Sequence, residues 1–343
     1  HTASCTMDRC LARAKEMIGW DEKYPCRDMG NGKVRGVGLA MAMQGSSIAN
    51  VDVGGATLKL NEDASYTLSL GCADMGTGCD TILSQMAADC LETEFENIVA
   101  FGVDTDVSPY DSGSYASSTA YLTGMAAVKA SKSMIRLITE KGAEYLEKAP
   151  EEVDFDGEQV FAKDGSAPIS LKDIGNRAMA NNGKALEVTE SHSSPVSPPP
   201  FMVGMAEIEM DQETCDFELV NYVAVVDCGT PINPAIARVQ TEGGLGQGIG
   251  MAMFEDVTRS EKGQVYENSF MQYKLPTRVD VGNIRVEFES SYEPTGPFGV
   301  KSIGEVVINT PSPAIAAAVA NATGVQIREL PITPEKIFKE LHK

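Results

Sequence analysis

Residues 71–81 have the sequence GCADMGTGCDT, a glycine-rich loop placed directly before a predicted helix. Apolar strands at 56–60 and 66–70 around a polar turn predict a β-hairpin before the loop, and apolar residues at helical spacing predict a helix over about 80–94. Glycines let the backbone approach a ligand closely, and the N–H groups at a helix start favour an anion such as phosphate or pyrophosphate. The glycine spacing is not that of a Rossmann fingerprint. The loop therefore predicts either an anion site or an ordinary strand-to-helix turn.

The rest of the chain predicts a mixed α/β protein with two lobes, because 343 residues exceed what one hydrophobic core usually fills. The first lobe is expected over residues 1–190 and the second over 201–343. A linker is expected over 191–200, whose sequence SHSSPVSPPP holds four prolines. Further predicted strands lie at 34–43, 98–103, 205–210, 217–226 and 284–289, and further predicted helices at 5–19, up to about 148, 170–179, 234–254, 312–321 and 334–341.

Composition narrows the class of protein. With 28 basic and 49 acidic side chains the formal net charge is −21, which argues against nucleic acid or an anionic membrane as a main partner. The apolar fraction of 43% is enough for a packed core, and no apolar run approaches the roughly 20 residues of a membrane span. The eight cysteines form no CxxC pair and are too sparse for a disulfide scaffold. A soluble, cytoplasmic protein is expected.

The chain has only three histidines, two of them near its ends. Imidazole zinc sites and Ser-His or Cys-His catalysis are therefore disfavoured, and no protein side chain is expected to bind a metal directly. If the protein moves protons, a carboxylate must do it.

Two other segments combine small or polar residues with a helix. Residues 111–119 (DSGSYASST) precede the long helix and supply either a second anion-binding helix start or simple N-caps. Residues 243–250 hold five glycines, each of which weakens a helix by roughly 0.5–1 kcal/mol relative to alanine. That cost favours close approach of a neighbouring backbone or ligand, and a flexible loop is the alternative.

A possible base lies in residues 296–305, GPFGVKSIGE. Glu305 precedes an apolar run, so we expect its carboxyl to be buried with a raised pKa, as suits a general base near neutral pH. A capping or surface glutamate is the alternative.

In this order, the segments resemble the molybdenum hydroxylases, the xanthine dehydrogenase and aldehyde oxidase family, over about residues 8–340. Residues 71–81 resemble that family's GG-x-E/D-MG-x-G-x-x-T loop, and 233–250 its NP-x5-Q-x-EG-x3-QG-x-G segment. Residues 273–277 (YKLPT) and 301–305 (KSIGE) resemble two further motifs, the second of which holds the family's catalytic glutamate.

The resemblance implies a two-lobed molybdenum-cofactor-binding fold and a molybdopterin cofactor, expected as the cytosine dinucleotide. Glu305 falls on the glutamate that takes the proton from the molybdenum-bound hydroxyl. The implied reaction hydroxylates an electron-poor carbon of an N-heterocycle such as xanthine, hypoxanthine or nicotinate with water-derived oxygen, or alternatively oxidises an aldehyde. The implied cofactor contacts are Met75, Gly76, Thr77, Ala116, Ser117, Thr119 and Gln240.

Several departures bear on these expectations. Thr77 stands where the best-known members carry glutamine, and Met41 and Ala42 stand where purine enzymes place an aromatic residue and a threonine. The chain begins His1-Thr2 and lacks the family's upstream motifs and the cysteine sets for two [2Fe–2S] clusters. It is expected to be the C-terminal half of a molybdenum subunit, either naturally split, as in nicotinate dehydrogenase, or a fragment. The implied partners are a complementary molybdopterin-binding half, a [2Fe–2S] subunit and an FAD subunit. A non-catalytic anion-binding or assembly module is the alternative.

Overall fold

A computed structural model describes residues 2–343 as a mixed α/β protein. In chain order, its helices are α1 (Met7–Ile18), α2 (Trp20–Lys23), α3 (Cys79–Leu91), α4 (Thr119–Tyr145), α5 (Leu171–Asn182), α6 (Pro234–Met253), α7 (Pro311–Thr323) and α8 (Pro334–Leu341). Its strands are β1 (Cys26–Gly30), β2 (Lys33–Met43), β3 (Gly54–Leu60), β4 (Tyr66–Leu70), β5 (Ile98–Phe101), β6 (Val153–Phe155), β7 (Gln159–Ala162), β8 (Ile169–Ser170), β9 (Glu187–His192), β10 (Phe201–Asp211), β11 (Phe217–Asp227) and β12 (Asn283–Phe288).

The chain forms two compact units that are discontinuous in sequence. The first unit comprises residues up to 44, 199–291 and 303–343, and the second comprises 45–198 and 292–302. These units differ from the two contiguous lobes expected from the sequence. The reason is long-range pairing, because β2 is antiparallel to β10 along its whole length and so joins the sheet of the C-terminal half.

The first unit is a five-stranded sheet in the order β1-β2-β10-β11-β12 with helices on both faces. On one face, α1 buries Cys10, Ala14 and Ile18 against β10 and β11. On the other face α7 crosses β2 so closely that a Cβ at Gly38 would lie 2.1 Å from the carbonyl oxygen of Ala314. A larger residue at 38 would push the helix off the sheet.

The second unit holds a four-stranded sheet in the order β5-β4-β3-β9 and a small sheet of β6, β7 and β8. The long helix α4 packs on β3 and β9, and α3 packs on α4. A Cβ at Gly54 would lie 2.5 Å from the backbone nitrogen of Thr123, so β3 and α4 meet backbone to backbone. Among the described residues, no helix is both long enough and apolar enough to cross a membrane.

Candidate functional site

The two polar loops of the second unit lie side by side. A Cβ at Gly71, where the 71–78 loop leaves β4, would lie 2.5 Å from the carbonyl oxygen of Pro109 and 2.6 Å from Cβ of Asp111. Glycine at 71 is therefore what lets this loop touch the segment that leads into α4. The contact thus joins the loop at 71–78 to residues 109–111, which precede the contacts that the resemblance assigns at 116–119.

The start of α3 is not an open anion site, which favours the ordinary strand-to-helix turn of the two alternatives that the sequence predicts. The carboxylate of Asp74 accepts hydrogen bonds from the backbone N–H groups of Gly76 (2.9 Å), Gly78 (3.1 Å) and Asp80 (3.3 Å). Partial burial acts to raise the pKa of Asp74, but these donors and the N–H of Thr77 outweigh it and hold the pKa below its ordinary value. The anion at this helix start is the chain's own carboxylate.

The start of α4, in contrast, keeps donors available. Ala116 (φ 50°) and Ser117 (φ 53°) are both in the left-handed region, and Ser118 at the N-cap makes no side-chain cap. Within residues 2–343 the backbone N–H groups of Thr119 and Ala120 donate to no protein acceptor. Unsatisfied N–H groups at the positive end of a 27-residue helix favour an anionic ligand.

The tip of the 71–78 loop is open to solvent. Met75 is 68% exposed, and a Cβ at Gly76 would meet no atom within 4 Å. Because Gly76 has φ 92°, the loop reaches this conformation at little cost only with glycine at that position. Met75 and Gly76 therefore lie at an accessible tip of the loop.

In the first unit, the turn that follows Glu305 packs against the glycines of α6. A Cβ at Gly244 would lie 2.3 Å from Cγ2 of Val307, and one at Gly248 would lie 2.9 Å from the carbonyl oxygen of Ile308. The expectation of close approach at 243–250 is confirmed, because these residues form part of a helix and not a flexible loop. Val306 and Val307 are fully buried. Glu305 thus directly precedes a buried, well-packed turn.

Glu305 itself is exposed, so the expected burial of its carboxyl is wrong. It is the N-cap residue of the 3-10 turn Val306–Ile308, whose two valine side chains take the interior positions. At 3.5 Å, the Nε2 atom of Gln44 donates to Oε2 of Glu305. Gln44 follows the end of β2, and the sequence analysis missed it because a lone glutamine after a strand has no distinguishing pattern.

Gln240 lies on the α6 face that packs against this turn. Gly248 meets Ile308 and Gly244, one helical turn earlier, meets Val307. Gln240 is half-buried and lies one further turn towards the N-terminus of α6, at about 5.4 Å per turn. In the first unit, Gln44 therefore contacts Glu305, and Gln240 lies on the helix against which the turn after Glu305 packs.

Comparison with known proteins identifies similar chains and a matching family. A family model described as "Molybdopterin cofactor-binding domain" matches residues 13–282. The protein "Probable hypoxanthine oxidase XdhD" of Escherichia coli (strain K12) is 32% identical over 99% of this chain and 36% of its own length. The "Xanthine dehydrogenase molybdenum-binding subunit" of Escherichia coli O157:H7 is 30% identical over 99% of this chain and 46% of its own length.

Among solved structures, quinoline 2-oxidoreductase from Pseudomonas putida 86 superposes with a TM-score of 0.88 at 25% identity. The superposition covers 99% of this chain and 46% of that protein chain. The chain therefore spans less than half the length of each of these relatives.

Proposed function

Because the chain belongs to the molybdopterin cofactor-binding domain family, we propose that it forms part of the active site of a molybdenum hydroxylase. Glu305 is the proposed catalytic base, and the substrate class is an N-heterocycle with an electron-poor carbon. The observation that carries the proposal is the placement of Glu305 on the buried turn against α6, with its carboxylate exposed beside Gln44.

The residues present fit an anionic, hydrogen-bonding cofactor at the start of α4. Thr119 would hold it through its backbone N–H group, Ala116 and Ser117 would line the same helix start, and the exposed tip at Met75–Thr77 would contact it from the adjacent loop. Backbone donors also explain how a chain with a net charge of −21 would bind an anion without a cluster of lysines or arginines. When bound, the molybdenum cofactor would supply the two-electron oxidation that accompanies hydroxylation.

Glu305 would accept a proton at a carboxylate oxygen during the reaction. Its backbone is fixed because Val306 and Val307 are buried and the N–H of Ile308 donates to the Glu305 carbonyl (3.2 Å). The amide of Gln44 orients the carboxylate through Oε2. A positioned base of this kind contributes about 10²–10⁴ in rate.

The finer features of the enzyme follow as part of the same proposal. The cofactor is proposed to be the cytosine dinucleotide form, and electrons would leave through [2Fe–2S] clusters to FAD on partner chains or domains. A complementary molybdopterin-binding half would complete the site, because the chain spans 36–46% of its relatives. A cytoplasmic location is proposed from the eight cysteines, all within the described residues and none in a disulfide.

Turnover of the assembled complex carrying Glu305→Gln tests the proposed base. We expect molybdenum and pterin content to stay at the wild-type level while the rate with xanthine, hypoxanthine or nicotinate falls by about 10²-fold or more. Glu329→Gln, an exposed glutamate of the same unit, is the matched control and should keep full turnover. Unchanged turnover in Glu305→Gln would show that the carboxylate is structural.

A further inference from the structure

A groove beside β12, the last strand in the sheet of the first unit, concentrates positive charge. The groove has a volume of about 440 Å³ and is lined by α1, α6 and β12. Each of these elements contributes one arginine, and the three are Arg13, Arg238 and Arg285. Two glutamates, Glu16 and Glu287, also line it. This arginine groove therefore carries one excess positive charge, in a chain whose net charge is −21.

Arg13 engages both glutamates of the arginine groove. Its Nε and Nη2 atoms donate to the carboxylate of Glu287 at 2.6 and 2.8 Å, and its Nη1 atom lies 2.7 Å from Oε2 of Glu16. The hydrogen bonds from Arg13, followed by the charges of the three arginines, lower the pKa of Glu287 despite its partial burial. The two carboxylates are therefore held by Arg13 and do not neutralise the other two arginines.

Arg238 and Arg285 keep donors available for a ligand. Among the described residues, Arg238 makes no hydrogen bond or ion pair. Arg285 donates from Nη2 to the backbone carbonyl of Met17 at 2.6 Å, and its other two nitrogens donate to no described acceptor. A guanidinium group has five N–H donors. The two side chains therefore present most of their donors to the groove from two different elements.

The chemistry of these donors selects an oxyanion. The planar fork of a guanidinium group matches carboxylate and phosphate oxygens. A phosphate group has three acceptor oxygens in a tetrahedral arrangement, so it can accept from two forks on separate elements better than a planar carboxylate can. The volume of about 440 Å³ lies within the range of about 300–1,000 Å³ that is typical of small-molecule sites. The groove therefore has room for a phosphate and for the molecule that carries it.

We propose that the arginine groove binds a phosphate group, which accepts hydrogen bonds from Arg238 and Arg285. Arg13 supports the site because it keeps the carboxylate of Glu287 from pairing with these two side chains. The shared ligand chemistry is phosphate, either free or on a small molecule. None of these residues takes part in the proposed hydroxylase function, so the two proposals can fail independently.

Isothermal titration calorimetry of the full chain with inorganic phosphate at low salt tests the proposal. We expect saturable binding of about one phosphate per chain, weakened by added salt. Arg238→Gln should raise the Kd for phosphate about tenfold or more, because hydrogen bonds to a charged group are lost. Arg328→Gln, which changes another exposed arginine of the same unit, is the matched control and should leave the Kd unchanged.

Two further ligands identify what the groove recognises. Adenosine monophosphate that binds more tightly than inorganic phosphate would identify a phosphorylated small molecule as the ligand, and adenosine monophosphate that binds no more tightly would identify free phosphate. Acetate that binds as tightly as phosphate would overturn the proposal, as would the absence of saturable phosphate binding. Equal phosphate affinity in the wild type and Arg238→Gln would also overturn it, because the phosphate would then bind elsewhere, for example at the start of α4.

Discussion

Alanine substitutions at two adjacent glycines of α6 should change the stability of the protein in opposite directions. A Cβ at Gly244 would lie 2.3 Å from Cγ2 of Val307, a fully buried and β-branched side chain with little freedom to move. A Cβ at Gly243 would meet no atom within 4 Å. Alanine should gain about 0.5–1 kcal/mol of helix propensity at either position. At 244 an overpacking cost of about 1–3 kcal/mol outweighs that gain.

Thermal unfolding of the two variants measures this difference. We expect Gly243→Ala to raise the melting temperature of the first unit by about 1–3 °C and Gly244→Ala to lower it by about 2–6 °C. Gly244→Ala should also reduce turnover of the assembled complex, because Val307 lies two residues from Glu305 and the turn must shift. Stabilisation of the protein by both substitutions would refute the account of α6 as the support for the base.

Three further predictions concern charged and titratable groups. Asp74→Asn should lower the free energy of unfolding by about 1 kcal/mol, a small value because the site faces solvent, whereas the control Asp89→Asn should leave it unchanged. The contribution of Asp74 is present above the ordinary carboxyl pKa and is lost as pH falls below about 4. The melting temperatures of wild type and Asp74→Asn should therefore converge below that pH. Glu207→Gln should cost about 3 kcal/mol in urea unfolding, because this fully buried carboxylate pairs with two cations, whereas the more exposed Glu209→Gln should cost about 1 kcal/mol or less. Burial, and to a smaller extent the charge of a nearby lysine, lowers the pKa of His192 to about 4. Between pH 4 and about 6.5 the folded state therefore binds fewer protons than the unfolded state, so stability should fall as pH drops through this window. The fall should be smaller in His192→Asn.

Local patterns in the sequence were sufficient to predict most helices and strands and the close packing against α6. Apolar spacing predicted α3 and the β3–β4 hairpin, and the glycines at 243–250 predicted the close approach found at Gly244 and Gly248. The helix and the hairpin depend on residues near one another in the chain, and the glycines predicted a close approach without identifying its distant partners, Val307 and Ile308. The strand β9 was missed because its sequence, EVTESH, is almost entirely polar.

Features set by distant contacts or by exact loop conformation were not predictable. The discontinuous units follow from the pairing of β2 with β10, whose register no local pattern encodes. The filling of the α3 start by Asp74 depends on the positive φ angles of Gly76 and Gly78, which turn the N–H groups inward. The exposure of Glu305 depends on the following valines turning into the core beneath it.

Cofactor analysis of the intact complex purified through this chain tests the central claim most directly. Molybdenum measured by mass spectrometry, together with the pterin nucleotide released on denaturation, should both be present at about one per chain. A complex that contains neither molybdenum nor a pterin nucleotide would contradict the proposed function and leave a family member that has kept the fold without the chemistry.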